Sequence, residues 1–466
     1  MANAQQIKTQ LNIQGAILGP GDENYEEGLR LWSDTCYRRA AVVVHPKNAN
    51  DIATTVNYAR EHHLDLAVRG GGHSTLATSS TDGGILINLG NEMTRVVVDP
   101  DTRTVTVQGG ATWEDVSREV GRYPLAVNGG TVSMVGVGGL SLEGGYGYYA
   151  PQHGVTLDTI LAAKVVTGTG EIVSVSREGE EHADLFWAIR GAAPTVGVVY
   201  ELTLQAYPQP TPIWYGMRSY PASEVQRVTE GLNTALFHPR GKAAAQCLLY
   251  LSPEDGKTPI VSTVLFFDGS EEEARAHFAP LLKLECIDDN MSMRPFSETN
   301  TVLDPFVPAG GRKNELGFDT TLPPRPEFVA ELLDYLTASL TAEPDFAHGS
   351  VEIDFFDPTQ ICRVPVPDAA FPTRVWLLHG TAMLQWTDAT KDEASLSLGK
   401  EILKMAEREL LRHGQRQSLT VSNFSGYNPE TKLSPSEMFG ENARRLLDVK
   451  AKYDPANMFN KQNPIV

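Results

Sequence analysis

The residues best suited to chemistry lie in one hexapeptide, Arg69, Gly70, Gly71, Gly72, His73 and Ser74. Three consecutive glycines raise the entropy of the unfolded chain and add nothing to a core. They do allow positive φ, and they let backbone N–H groups converge on an anion with no Cβ in the way. The pattern predicts a cradle for a diphosphate, with an imidazole at its exit. A second unusual stretch runs from Gly129 to Gly147, GGTVSMVGVGGLSLEGGYG, where eight of nineteen residues are glycine. A flexible linker of that glycine content would be polar. This one carries Val132, Met134, Val135, Val137, Leu140 and Leu142 and must be folded. Its backbone is pressed either against a planar cofactor or into tight turns of a packed β region.

The elements that position these loops can be read from periodicity. AAVVVH, Ala40 to His45, is a short apolar strand. NANDIATTVNYAREHH places Ile52, Val56 and Ala59 on one helical face, with Asn48 or Asn50 as its cap, and LDLAV returns as a strand. This β-α-β unit delivers the glycine triplet from the end of its second strand. GGILINL, RVVVD and RTVTVQGG are rich in β-branched residues and read as strands. ATWEDVSREVG is a short amphipathic helix with Thr112 as its cap. Two strands follow in LDTILAAKVVTGTGEIVSVS. A helix, a glycine loop and a long strand follow in HADLFWAIRGAAPTVGVVYELTLQAYP.

Near Pro208 to Pro212 the texture changes. Long alternating strands then interleave with amphipathic helices around Glu271 to Leu284, Arg325 to Leu340 and Asp392 to Arg412. This predicts an α+β unit whose antiparallel sheet is covered on one face by helices.

Composition narrows the function. The chain has 466 residues, with 39 Lys plus Arg against 58 Asp plus Glu and a net charge of −19. That balance repels nucleic acid and anionic membrane surfaces. Cys36, Cys247, Cys286 and Cys362 are far apart, so neither a metal site nor a disulfide framework is expected. The first residues lack a cationic segment followed by an apolar one, and no stretch is apolar for long enough to span a bilayer. A soluble cytoplasmic protein is expected.

Four segments together, RGGGHS, GGTVSMVGVGGLSLEGGYG, FWAIRGAAPTVGVV and the C-terminal RRLLDVKAKYDPANMFNKQNPI, resemble the berberine bridge enzyme-like group of FAD-linked oxidases, which has the vanillyl-alcohol oxidase (PCMH-type) fold. The resemblance covers about the first 210 residues and the last fifty. It implies a two-part FAD-binding domain, 1–210 with a returning segment 420–466, and an inserted substrate domain, 211–419. It also implies that Gly70, Gly71, Gly72 and Ser74 surround the FAD pyrophosphate, with Arg69 in the same cofactor site, and that His73 bonds covalently to the flavin. Val132, Val135, Gly136, Gly138, Gly139, Gly144, Gly147, Gly154, Gly197, Val198, Asn460 and Asn463 would complete the cofactor site.

The sequence departs from the group in two places. Many members carry a second covalent link from a cysteine where this chain has Val132, so attachment is expected through His73 only. Val135 stands where relatives control access of O2, and a valine there reads as permissive. The usual catalytic tyrosine is replaced by Val421, although Asn423 is in place and Tyr427 is nearby. The base is therefore sought elsewhere: in Tyr250, Asp354, Arg363 and His379, on the strand-like runs of the central domain. Asp354 lies between Ile353 and Phe355, where desolvation would raise its pKa. Strand alternation alone, however, puts both Asp354 and His379 on a solvated face.

The resulting expectation is an FAD-dependent oxidase or dehydrogenase that takes hydride from a small organic substrate, a specialised metabolite, with O2 as acceptor and the oligomeric state open. A sugar or oligosaccharide oxidase is one alternative. A flavoprotein catalysing a redox-neutral cyclisation or isomerisation is another.

Overall fold

A computed structural model describes residues 4–417 and 433–461. The first layer is a four-stranded sheet in the order Ala16–Leu18, Val42–His45, Ile85–Asn88, Leu66–Arg69. The last three strands are parallel. Val42, Val43 and Val44 are fully buried, which explains a continuous apolar run where an alternating one would suit a half-exposed strand. Helix Ala49–Glu61 starts at Asn48, whose side chain accepts from Asp51 N at 3.0 Å, and it buries Ile52, Val56 and Ala59. Because the strand Leu66–Arg69 ends at Arg69, the glycine triplet leaves the carboxyl edge of a parallel sheet. Ligands characteristically bind at that edge of open α/β sheets.

The second layer is a five-stranded antiparallel sheet in the order Val96–Asp99, Thr104–Gln108, Gly197–Gln205, Ile160–Thr167, Ile172–Ser176. Helix Trp113–Val120 is held at its start by a capping box between Thr112 and Asp115. This helix, Ala183–Ala192 and the C-terminal Ala443–Tyr453 share one core with the sheet through Val116, Leu185, Leu446 and Val449. The chain's last helices thus return to the N-terminal half.

Between these parts lies a larger sheet, antiparallel throughout. Its order is Asp288–Asp289, Ile213–Pro221, Pro259–Phe267, Ala243–Leu251, Ser350–Phe355, Leu378–Trp386, Arg312–Thr320. Helices Val225–Ala235, Pro326–Ala342 and Asp392–Arg412 cover one face. The strand period of two decides what each residue meets. Val351, Ile353 and Phe355 pack under the helices, so Ser350, Glu352 and Asp354 point the other way. That second face is covered by the end of the glycine-rich stretch: Tyr148 and Tyr149 pack on Tyr215, Phe266 and Phe356. The architecture is α+β, with the antiparallel sheet and its helices inserted into a two-part unit.

Three further links bind the parts together. Ile361, Ala369, Ala370 and Phe371 cross from the inserted unit into the N-terminal core. Arg374 makes a two-pronged ion pair with Asp158, both bonds 2.7 Å, with side chains only 3% and 8% exposed. Ser133 donates from N and Oγ to Asp304 at 3.1 and 2.7 Å. One expectation is corrected here. Arg363 does not lie on a strand: it ends the short helix Thr359–Arg363 and is exposed.

Candidate active site

The two glycine stretches meet each other. A Cβ on Gly71 would stand 2.5 Å from the Gly136 Cα, and a Cβ on Gly136 would stand 2.5 Å from the Gly71 N. Gly70 and Gly138 both face the Gly109 carbonyl, with would-be Cβ distances of 2.8 and 3.0 Å. Many of the other glycines of this group serve packing within the protein. Gly129 lies against the Trp113 ring, Gly144 against Phe371, Gly147 against the Gly129 carbonyl, Gly154 against Asp158 and Gly197 against the Val166 carbonyl. Gly139 alone among the glycines of the cradle faces open space. Both readings of the second stretch therefore describe parts of it. Val198 is buried in a strand paired with Val166, and the Asn460 side chain donates to Asn457 O at 3.0 Å. Val132 packs toward Tyr148 and Phe266, and Val135 toward the N-terminal core.

His73 stacks on Trp32, with ring centroids 4.0 Å apart and planes 14° off parallel. Its Nε2 is buried and has no hydrogen-bond partner. Burial, followed by the charge of Lys313, pushes its pKa down to about 4, so the imidazole is neutral at neutral pH.

On the inserted sheet's second face, the register draws a polar row across four strands. Gln246 pairs with Asp354 and Asp319 with His379, and the strands of Asp354 and His379 are neighbours. Gln246 Nε2 donates to Asp354 Oδ1 at 2.9 Å and also to Glu352 Oε1, while Gln246 Oε1 accepts from Tyr148 OH at 2.7 Å. His379 Nδ1 lies 2.7 Å from Asp319 Oδ1, and its ring meets Tyr146 at 4.3 Å. Burial raises Glu352 well above the carboxylate range, and the neighbouring Asp354 adds to this. Burial also raises Asp354 and brings Glu315, on the strand Arg312–Thr320, to about 7. One small pocket brings together Tyr146, Asp354 and His379 with an apolar wall that includes Phe356, Ile361, Val375 and Leu377.

The solvated face expected for Asp354 and His379 is met only in part: both keep partial exposure. The alternation was read correctly, but the polar side of the strand lies under the Tyr146–Tyr149 segment. Tyr250 is elsewhere on that face, 2.9 Å from Ser262 Oγ. Asn423, Tyr427, Val421 and Asn463 lie outside the described residues. Sequence reasoning missed Glu352, Glu315, Asp319, Gln246 and Tyr146. The first had a readable signal, since it stands two residues from Asp354 and so shares its face. The others depend on which strands become neighbours.

Residues 40–176 match the model of the FAD binding domain, and residues 428–466 match the berberine and berberine like model. The FAD-linked oxidoreductase pgmH of Aspergillus terreus is 28% identical over 99% of this chain and 95% of its own length. The (R)-6-hydroxynicotine oxidase of Paenarthrobacter nicotinovorans is 27% identical over 98% and 97%. The crystal structure of 6-hydroxy-D-nicotine oxidase from Arthrobacter nicotinovorans superposes with a TM-score of 0.81 at 26% identity, covering 98% of this chain and 99% of that one. The fold and the two matched ends, in this order, define an FAD-linked oxidoreductase. The two matched ends and these relatives make the chain similar to the berberine bridge enzyme-like group of these enzymes.

The residues present suit FAD. Arg69 Nε, His73 Nε2, Trp113 Nε1, Asn128 Oδ1 and Ser141 Oγ are all buried without a hydrogen-bond partner, and all belong to or adjoin the two glycine stretches. Such atoms are normally satisfied, and a dinucleotide with a polar ring system offers both donors and acceptors. Among the described residues, no helix is long and apolar enough to cross a membrane.

Proposed function

We propose that this enzyme takes hydride from a carbon bearing or adjacent to nitrogen or oxygen in a small organic molecule, that His73 holds the flavin covalently, and that O2 reoxidises it. Residues 1–210 and 420–466 form the cofactor part in this reading, and 211–419 form the substrate part. The observation that carries it is the cavity where Tyr146, from the glycine-rich stretch, meets Asp354 and His379, from the inserted sheet. FAD supplies the hydride acceptor; the chain supplies the rest.

The substrate is gripped by the apolar wall and oriented by the Tyr146 hydroxyl, which has no partner of its own. Its heteroatom proton passes to Asp354. Desolvation makes that carboxylate more basic than an ordinary one. Glu352 holds a proton and, like the Gln246 amide, donates toward Asp354. These two donors and the neighbouring His379 keep Asp354 ionised enough to act as a base. Asp319 holds the His379 ring in place from behind.

The relative named for 6-hydroxynicotine makes heteroaromatic amines the first substrates to test. Anaerobic mixing with amines, alcohols and sugars should bleach the flavin band for the right class. Turnover with the band unchanged would instead establish a redox-neutral reaction.

A further inference from the structure

His73 belongs to a buried cluster with Trp32 and Lys313. Its imidazole lies on the Trp32 indole, and the Lys313 ammonium stands 4.9 Å from the centroid of that same indole. Each member is fixed by backbone bonds. Trp32 N donates to Gly72 O at 2.9 Å, which ties the indole to the last glycine of the triplet. Trp32 Nε1 donates to Val307 O at 3.0 Å, and Trp32 O accepts from Gly310 N at 3.0 Å and from Lys313 Nζ at 3.3 Å. Ser33 Oγ pairs with both N and O of Lys313.

Lys313 is 1% exposed. Its ammonium is bound by the carbonyls of Trp32 and Gly310 and forms no ion pair among the described residues. Burying an ammonium against carbonyls is unfavourable compared with an apolar chain of the same length. Packing alone therefore does not explain a lysine here. Besides those two carbonyls, its charge acts on the His73 imidazole.

On the reading that His73 carries the flavin, we propose that Trp32 and Lys313 are positioning residues for that attachment: the indole fixes the plane of the imidazole, and the ammonium keeps its ring nitrogen free of a proton. The pKa of His73, held at about 4 by burial and then by Lys313, agrees with this. Among the described residues, the carboxylate that acts on Lys313 is Asp34, which Gly311 N ties in place at 3.1 Å. Among the described residues, Lys313 is the one charged side chain that acts on His73.

The attachment balances as follows. A bond forms between His73 Nε2 and the 8α carbon of the flavin. One hydrogen leaves that methyl group and one leaves the imidazole N–H, together two protons and two electrons. The electrons pass into the ring system and then, with the protons, to O2, giving H2O2.

The test uses the full chain prepared without flavin, then mixed with FAD in air. Covalent incorporation is followed as yellow fluorescence retained on the denatured polypeptide, from about pH 5 to about pH 8. The wild type should incorporate at a rate nearly independent of pH. Lys313→Met should lose rate at the acid end of the range, while Lys313→Arg should keep the flat profile. Trp32→Leu should be slower at every pH by roughly tenfold to a hundredfold, and Trp32→Phe should recover most of that loss. Noncovalent FAD affinity, measured for each substitution in a His73→Ala background, identifies any variant that has simply misfolded, and the Arg and Phe variants then decide. An unchanged profile in folded Lys313→Met, or a wild-type rate in folded Trp32→Leu, overturns the proposal. If wild-type protein releases all its FAD on denaturation, the covalent reading fails first and takes the proposal with it.

Discussion

Gly71 and Gly136 touch backbone to backbone, so that a side chain on either would lie 2.5 Å from main-chain atoms of the other. Neither backbone can move aside without opening the cradle. Gly136→Ala should cost about 1–3 kcal/mol from overpacking and should lower the FAD content per chain. Absorbance at the flavin band, set against protein concentration, checks this, and full occupancy in the variant would count against a cofactor role for the contact.

Asp354→Asn should keep its flavin and lose turnover. If Asp354 takes the substrate proton, kcat/KM should drop by about a hundredfold to ten-thousandfold. In the wild type, the raised Asp354 makes kcat/KM climb with pH as the carboxyl ionises, and that limb should be missing in the variant. A retained limb would hand the role to another group. Glu352→Gln should give a smaller loss, because it removes a tuning partner and leaves the acceptor.

Tyr146→Phe separates a structural hydroxyl from a functional one. The buried, unpartnered OH does not stabilise the fold, and leaving such a group buried costs about 1–3 kcal/mol. The denaturation midpoint should therefore stay level or rise, while KM rises through loss of the substrate contact. An unchanged KM would assign Tyr146 to packing alone.

Stability should depend on pH through Glu315. Its folded-state pKa, about 7, lies above the ordinary 4.5, so the folded chain favours the protonated form. The resulting stabilisation is complete below about 4.5 and is lost as pH rises through about 7. Wild-type protein should therefore lose more stability than Glu315→Gln between mildly acidic and mildly alkaline buffer. Parallel denaturation curves at the two pH values provide the comparison.

Arg374→Met leaves the Asp158 carboxylate buried and unpaired, which should cost about 3–5 kcal/mol. Arg374→Met combined with Asp158→Asn should recover much of that loss. Urea midpoints of the three proteins test the cycle.

The sequence was most legible where local rules act. Asn48 and Thr112 cap the helices assigned to them, Val42–Val44 form a buried strand, and the glycine triplet leaves the end of a strand as its flanking residues required. The active-site face was less so. Alternation showed that Asp354 and Ile353 point opposite ways, yet which side meets water depends on what the chain lays over the sheet. That cover comes from Tyr146 to Tyr149, about two hundred residues earlier. Gln246 and Asp319 were invisible for the same reason: their partners are neighbours only through strand pairing. Lys313 gave no local sign at all, being one charged residue among many until the strand Arg312–Thr320 carried it beneath Trp32.

The division of the large sheet into a helix-bearing side and a cavity-bearing side has an evolutionary consequence. Moving one residue along the strand, from Ile353 to Asp354, passes from a position that holds the domain together to one that lines the pocket. Every second codon in these strands can therefore drift toward a new substrate while the intervening ones preserve the scaffold. A lineage could diversify its chemistry on this surface without renegotiating its grip on the flavin.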